Sequence, residues 1–248
     1  MSEPEIFRIG DDRLLCDAWH APSHTVVLRP GDPRRRLACA SIEQVVAELA
    51  RRGVDRILTA ALDRASVEPF AAAGFVPHDD LCVLRHDLAG SASSDARWRA
   101  GGRHAGARRG SLRRDLARAA AIDQQAFAAG TALDQGGLRA IVAATPAYRF
   151  RLVAPEPGRP AAAYAMCGLA GDTGYIQRIA VDPARHRHGH ARALVADALR
   201  WFDRRRVARV LVNTQVTNVA AQHLYVDAGF VRTSDRLAVW AWQRGVPR

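Results

Sequence analysis

The stretch RHRHGHARAL, residues 185–194, sets three histidines and three arginines around one glycine, just ahead of an apolar run with helical spacing. A metal site, a nucleic-acid patch and a loop that holds phosphates all compete for it. His186, His188 and His190 alternate and would share one face if extended, yet no cysteine or carboxylate stands close by to complete a coordination shell, so no metal is expected. A Walker loop is excluded because no Gly-Lys-Ser/Thr follows, and a dinucleotide fingerprint because GxGxxG is absent. A helix starting at about Gly189 leaves its first amides without internal acceptors and carries roughly half a positive charge there. Gly189 lets the backbone approach an anion, Ala191 keeps the first turn slim, and Arg187, His188, His190 and Arg192 add donors around it. A phosphate-holding turn is the expectation, with an ordinary solvated basic turn as the plain alternative.

The flanks supply the strand and helix such a turn needs. YIQRIAV (175–181) is strand-like, and Ala191, Leu194, Val195, Ala198 and Phe202 line one face of a helix. Farther out, 113–127 and 133–145 read as helices, while YRFRLVA (148–154) and AAAYAMCGLA (161–170) read as strands joined by the hairpin signal PEPGRP. AGDTG (170–174) turns the chain into the next strand, and ARVLVNT (208–214) is a further one. Helices, then an antiparallel meander, then helix, strand, helix and strand give an α+β fold with a mixed α/β sheet.

The chain also repeats itself. RRGVDRILTAALDRASVEPFAAAGFV (51–76) aligns with RRRVARVLVNTQVTNVAAQHLYVDAGFV (204–231) across a short gap. Each runs from a basic helix end through a strand and a helix to Gly-Phe-Val and a last strand, LCVLRHDL in one copy and LAVWAW in the other. Residues 88–110, rich in Gly, Ala, Ser and Arg and without hydrophobic period, read as a linker. The expected division is therefore 1–87, the linker 88–110, and 111–248.

Composition excludes more than it selects. A net charge of +11 invites a nucleic-acid reading, but all 36 basic residues are arginine, a bias spread over the whole chain, and no recognition motif accompanies it. Nucleic acid is therefore not the expected partner, and no apolar block is long enough for a membrane span. Cys16, Cys39, Cys82 and Cys167 lie far apart with no CxxC, which argues against a zinc knuckle or a disulfide framework. The acidic start MSEPEIFRIGDDRLL lacks a basic segment followed by an apolar one, so a cytoplasmic setting is expected.

Two separated motifs resemble those of the GNAT superfamily, the acyl-CoA-dependent N-acetyltransferases. His186-Arg187-His188-Gly189-His190-Ala191 is similar to the family's Q/R-x-x-G-x-G/A, with histidine in the Gln/Arg position. NTQVTNVAAQHLYVDAGF (213–230) is similar to N-x-x-A-x-x-L-Y-x-x-x-G-F, matching at Asn218, Ala221, Leu224, Tyr225, Gly229 and Phe230. The resemblance covers about residues 110–242. It implies a GNAT fold for that half and a degenerate GNAT-like subdomain for the first, where Arg36 falls opposite Gly189 and Asn218 and Tyr225 have no clear counterparts.

By that resemblance the activity is N-acetyltransfer from acetyl-CoA to a primary amine of a small molecule or protein. The amides of residues 187–192 would take the pyrophosphate, the backbone of Ile179 and Val181 would pair with the pantetheine arm, and Asn218 would contact its side. Tyr225 is the candidate general acid for the departing thiolate. Gln177 and Arg178 should alternate across their strand, so that only one faces the acceptor cleft, and Gln177 is the candidate substrate residue. Asp123 and Asp134 are distant candidates for the base, though both positions suit helix capping better. A catalytically silent acyl-CoA-binding module is the alternative of a different class, and a basic nucleic-acid-associated protein a third.

Overall fold

The computed structural model describes residues 4–18, 24–32, 35–88, 107–128, 131–156 and 158–245. They gather into two compact units, Met1–Cys82 with Ser234–Arg248, and Val83–Thr233. Among the described residues no helix is long and apolar enough to cross a membrane.

In the first unit β1 (Glu5–Ile9), β2 (Asp12–Ala18) and β3 (Thr25–Pro30) form an antiparallel meander. Helix α1 (Cys39–Arg51) then carries the chain to β4 (Arg56–Thr59), parallel to β3. Ile42, Val45, Val46 and Leu49 recur at helical spacing on α1 and are buried with Leu14, Leu28 and Ile57. Each such side chain contributes about 1.5–3 kcal/mol by leaving water. The short β5 (Leu62–Asp63) and α2 (Glu68–Ala72) lead into β6 (Val76–Asp87). The chain's last strand, β12 (Val231–Gln243), pairs antiparallel with β4 and β5, giving the order β1-β2-β3-β4-β12.

The second unit follows the end of β6 with β7 (Ala107–Arg109), α3 (Leu116–Ala126), α4 (Gln135–Ala143), β8 (Ala147–Val153), β9 (Ala163–Ala170) and β10 (Thr173–Val181). Helix α5 (His190–Arg204), β11 (Arg209–Gln215) and α6 (Val219–Asp227) complete it, in the strand order β6-β11-β10-β9-β8-β7. β7 to β10 are antiparallel neighbours, and β11 is parallel to β10. Leu194 of α5 packs with Val153, Ala163 and Ala165, joined by Ile179 and Val181, so these two β10 side chains face α5.

The repeat read from the sequence is a repeat of fold. β3–α1–β4–α2–β6 and β10–α5–β11–α6–β12 follow the same order, each with its first two strands parallel. Both copies end their second helix alike: Gly74 (φ +87°) and Gly229 (φ +93°) turn left-handed, and the Phe75 and Phe230 amides donate back to Phe70 O and Tyr225 O, both at 3.0 Å. Phe70 therefore occupies in the first copy the place Tyr225 holds in the second.

Two boundaries differ from the sequence division. Of the segment read as a linker, 89–106 lies outside the described residues, while Ala107–Arg109 is a strand paired with Arg151–Val153. Ala-Arg-Arg at the end of a sheet has no apolar alternation to announce it. Residues 234–248 go with the first unit, because β12 pairs with β4 and β5 there.

Candidate active site

The site is built from β10 outward. Its pairing with β9 runs the length of the strand but shifts register between Ile176 and Arg178, leaving Gln177 as a bulge. With β11 it pairs only through Thr173, Gly174 and Tyr175, after which the two parallel strands part. The Asp182 amide donates to Ala162 O at 2.8 Å, on the β9 side. Alternation along the strand then turns the peptide groups of Ile179 and Val181 to the opposite edge, where β11 has left.

Beyond β10, Asp182 accepts from the Ala184 amide at 3.0 Å and closes a single 3-10 turn, Pro183–Arg185. His186 Nε2 donates to Val181 O at 3.2 Å, and His188 Nδ1 donates to His186 O at 2.7 Å, since a carbonyl can only accept. The chain turns left-handed at Arg187 (φ +66°) and again at Gly189 (φ +76°), where a Cβ would meet open space. Gly189 is the N-cap of α5 and offers no side-chain acceptor; the first bond of the helix runs from the Ala193 amide to Gly189 O. The amides of His190, Ala191 and Arg192 thus precede the first acceptor of the helix. Residues 183–189 are exposed, whereas His190 is buried with its ring stacked on His188. The histidines are held by the backbone and by each other, and among the described residues no cluster of His, Cys, Asp or Glu is fit to hold a metal ion.

Tyr225 lies buried on α6, its ring tilted against Phe230. Burial raises its phenol above the ordinary value, with Cys167 adding to the rise, so the group is protonated at neutral pH and can only give a proton. Asn218 caps α6: its Oδ1 accepts from the Ala221 amide at 3.1 Å, which commits the oxygen and leaves Nδ2 outside the cap.

The bulge overturns the expected alternation of Gln177 and Arg178. Both reach the helices that precede the meander: Gln177 Nε2 donates to Ile141 O on α4 at 3.0 Å, and Arg178 meets Asp123 on α3. An extra residue in one strand breaks the two-residue period, so neighbours can share a face. Gln177 Oε1 is buried and has no hydrogen-bond partner among the described residues.

Asp123, expected as a cap or a distant base, caps no helix. It is fully buried and takes Arg178 Nε and Nη2 at 2.8 and 2.7 Å, the Leu133 amide at 2.6 Å and the Tyr164 hydroxyl. Arg178 also donates to Thr131 O at 2.8 Å and stands 3.5 Å from the Phe127 ring centroid. The carboxylate oxygens of Asp123 are thus taken up by four donors of the protein itself. Asp134 does cap, accepting from the Gly137 amide at 2.9 Å on α4. Sequence reading missed this network because its members are distant in the chain; a carboxylate on an apolar helix face opposite a strand arginine is the one signal for it.

Residues 119–230 match the model of the Acetyltransferase (GNAT) family. Among solved structures, a tandem GNAT protein of the clavulanic acid biosynthesis pathway is similar over 97% of this chain and 82% of its own, at 14% identity and a TM-score of 0.66. GCN5-related N-acetyltransferases from Sphaerobacter thermophilus and Kribbella flavida are similar over 96% and 98% of this chain and 78% and 91% of theirs. Their identity is 13% in each case and their TM-scores are 0.62 and 0.63. No curated protein sequence matches the chain. Residues 119–230 thus form a GNAT acetyltransferase domain, and the mixed sheet with its helices has the fold of these solved structures.

Proposed function

We propose that the second unit transfers an acetyl group from acetyl-CoA to a primary amine of a small molecule or protein. The observation that carries this reading is the opened edge of β10 leading into an uncapped helix N-terminus at a left-handed glycine. The amides of Arg187 to Arg192 would receive the pyrophosphate, drawn by the helix end and the exposed arginines 185 and 187. Ile179 and Val181 would pair with the pantetheine arm as with an added strand, and a peptide N–H on this edge would polarise the thioester carbonyl. His186 now donates to Val181 O, so pairing there exchanges one donor for another.

Tyr225 would protonate the thiolate as the C–S bond breaks and the C–N bond forms. Gln177 Oε1, buried with its acceptor capacity unused, would take a hydrogen bond from the amine, whose proton would leave through ordered water. A cytoplasmic setting belongs to the same reading and suits four free cysteines.

Calorimetric titration with acetyl-CoA tests it, with Gly189→Glu as control. Binding in the micromolar range that Gly189→Glu abolishes supports the site, and turnover on an amine panel then supports the enzyme. Binding without turnover on any amine would favour the silent acyl-CoA module, and no binding by the wild type would refute the reading.

A further inference from the structure

The first unit repeats the framework of the second but differs at each point where a thioester cofactor would be held. β3 pairs with β2 from Leu14↔Pro30 to Ala18↔Val26 without a shift, so it has no bulge. β3 and β4 pair over the whole of β4, from Thr25↔Arg56 to Leu28↔Thr59, and the Ala60 amide donates to Leu28 O at 3.1 Å, so this ladder runs farther than that between β10 and β11. Phe70 stands where the second unit has Tyr225 and brings no hydroxyl.

The start of α1 is the clearest contrast. Its N-cap, Ala38, has no side-chain acceptor, but a carboxylate arrives from β2: Asp12 Oδ2 accepts from the Ala38 amide at 2.9 Å and from the Ser41 hydroxyl at 2.7 Å. Arg35 Nε donates to Asp12 Oδ1 at 3.3 Å. The Asp12 side chain is 8% exposed. These bonds hold its carboxyl below the usual range, the Ala38 amide contributing most and Ser41 next.

We propose that Asp12 is a built-in anion that fills the phosphate position of the first unit, so that the chain carries a single acyl-CoA site, in the second unit. The count of one rests on the function proposed above; the filling of the α1 terminus by Asp12 stands without it. Deleting the carboxylate leaves the Ala38 amide, the Ser41 hydroxyl and the Arg35 guanidinium around a space of carboxylate size, which a small anion such as formate fits.

Two measurements test this. Calorimetry with CoA should give one site per chain in the wild type and none in Gly189→Glu; a second site, or binding that survives Gly189→Glu, would overturn the single-site count. Asp12→Ala should melt below the wild type and recover most of the difference in formate but not in chloride of equal ionic strength, while the wild type responds alike to both. Equal responses of variant and wild type would overturn the built-in anion. If Asp12→Ala folds only when formate is present the proposal is supported, and if formate rescues neither its folding nor its melting it fails. Absence of all CoA binding would refute the proposed function alone, because the formate measurement does not involve CoA.

Discussion

Replacing Asp123 with Asn removes one negative charge from the interior of the second unit and little else. The carboxylate is fully buried and receives two bonds from Arg178, one from the Leu133 amide and one from the Tyr164 hydroxyl. An amide can still accept at one position, but its NH2 group faces donors at the other, and the guanidinium, only 17% exposed, loses its counter-ion. Removing one partner of a buried pair costs about 3–5 kcal/mol. Arg178 keeps Thr131 O and the Phe127 ring, which places this variant at about 3 kcal/mol, a fall in Tm of about 6–12 °C for a unit of this size. Thermal melting followed by circular dichroism measures the fall, and hydrogen exchange should localise it to the Leu133 amide. The double variant Asp123→Asn/Arg178→Met, which removes both charges, should cost less than the sum of the single changes. A loss below about 1 kcal/mol for Asp123→Asn would refute the reasoning, because that is the range of solvent-screened surface pairs.

Tyr225→Phe should leave the melting temperature nearly unchanged and lower kcat by about 10²-fold or more if the phenol is the acid. The first unit already carries Phe70 in the same local setting, and an unchanged kcat would remove the acid role. Gly174→Ala should destabilise by about 1–3 kcal/mol through overpacking, since the added Cβ meets the Phe202 ring at 2.6 Å; a neutral result in urea unfolding would contradict that contact. A disulfide reagent at mildly alkaline pH should titrate Cys39 first, because Cys16, Cys82 and Cys167 are buried and burial lifts the Cys16 and Cys167 thiols to about 12. Their folded values are raised, so their contribution to stability is complete below the unfolded thiol range and is lost as pH rises above it. Modification of Cys167 before Cys39 in native protein would contradict this burial.

The sequence by itself determined most elements of the second unit, β7 excepted, the turn at Gly189 into a helix and the presence of two copies of one framework. These features are local: helical spacing in 191–202, alternation in the meander, and a glycine that must turn left-handed before a helix all leave their mark within a few residues. Asn218 and Asp134 belong to the same class, since a cap sits beside the helix it closes. Tertiary structure decided what depends on residues far apart. No sequence period marks the bulge that sets Gln177 and Arg178 toward the same pair of helices, because it is defined only against β9. Asp123 reads as one more polar residue at a helix end until Arg178, 55 residues later, arrives to pair with it. The contrast at the two helix starts has the same origin: Gly189 announces its turn from within, whereas the α1 terminus is closed by a carboxylate from another strand, and only the folding of β2 against β3 brings Asp12 there.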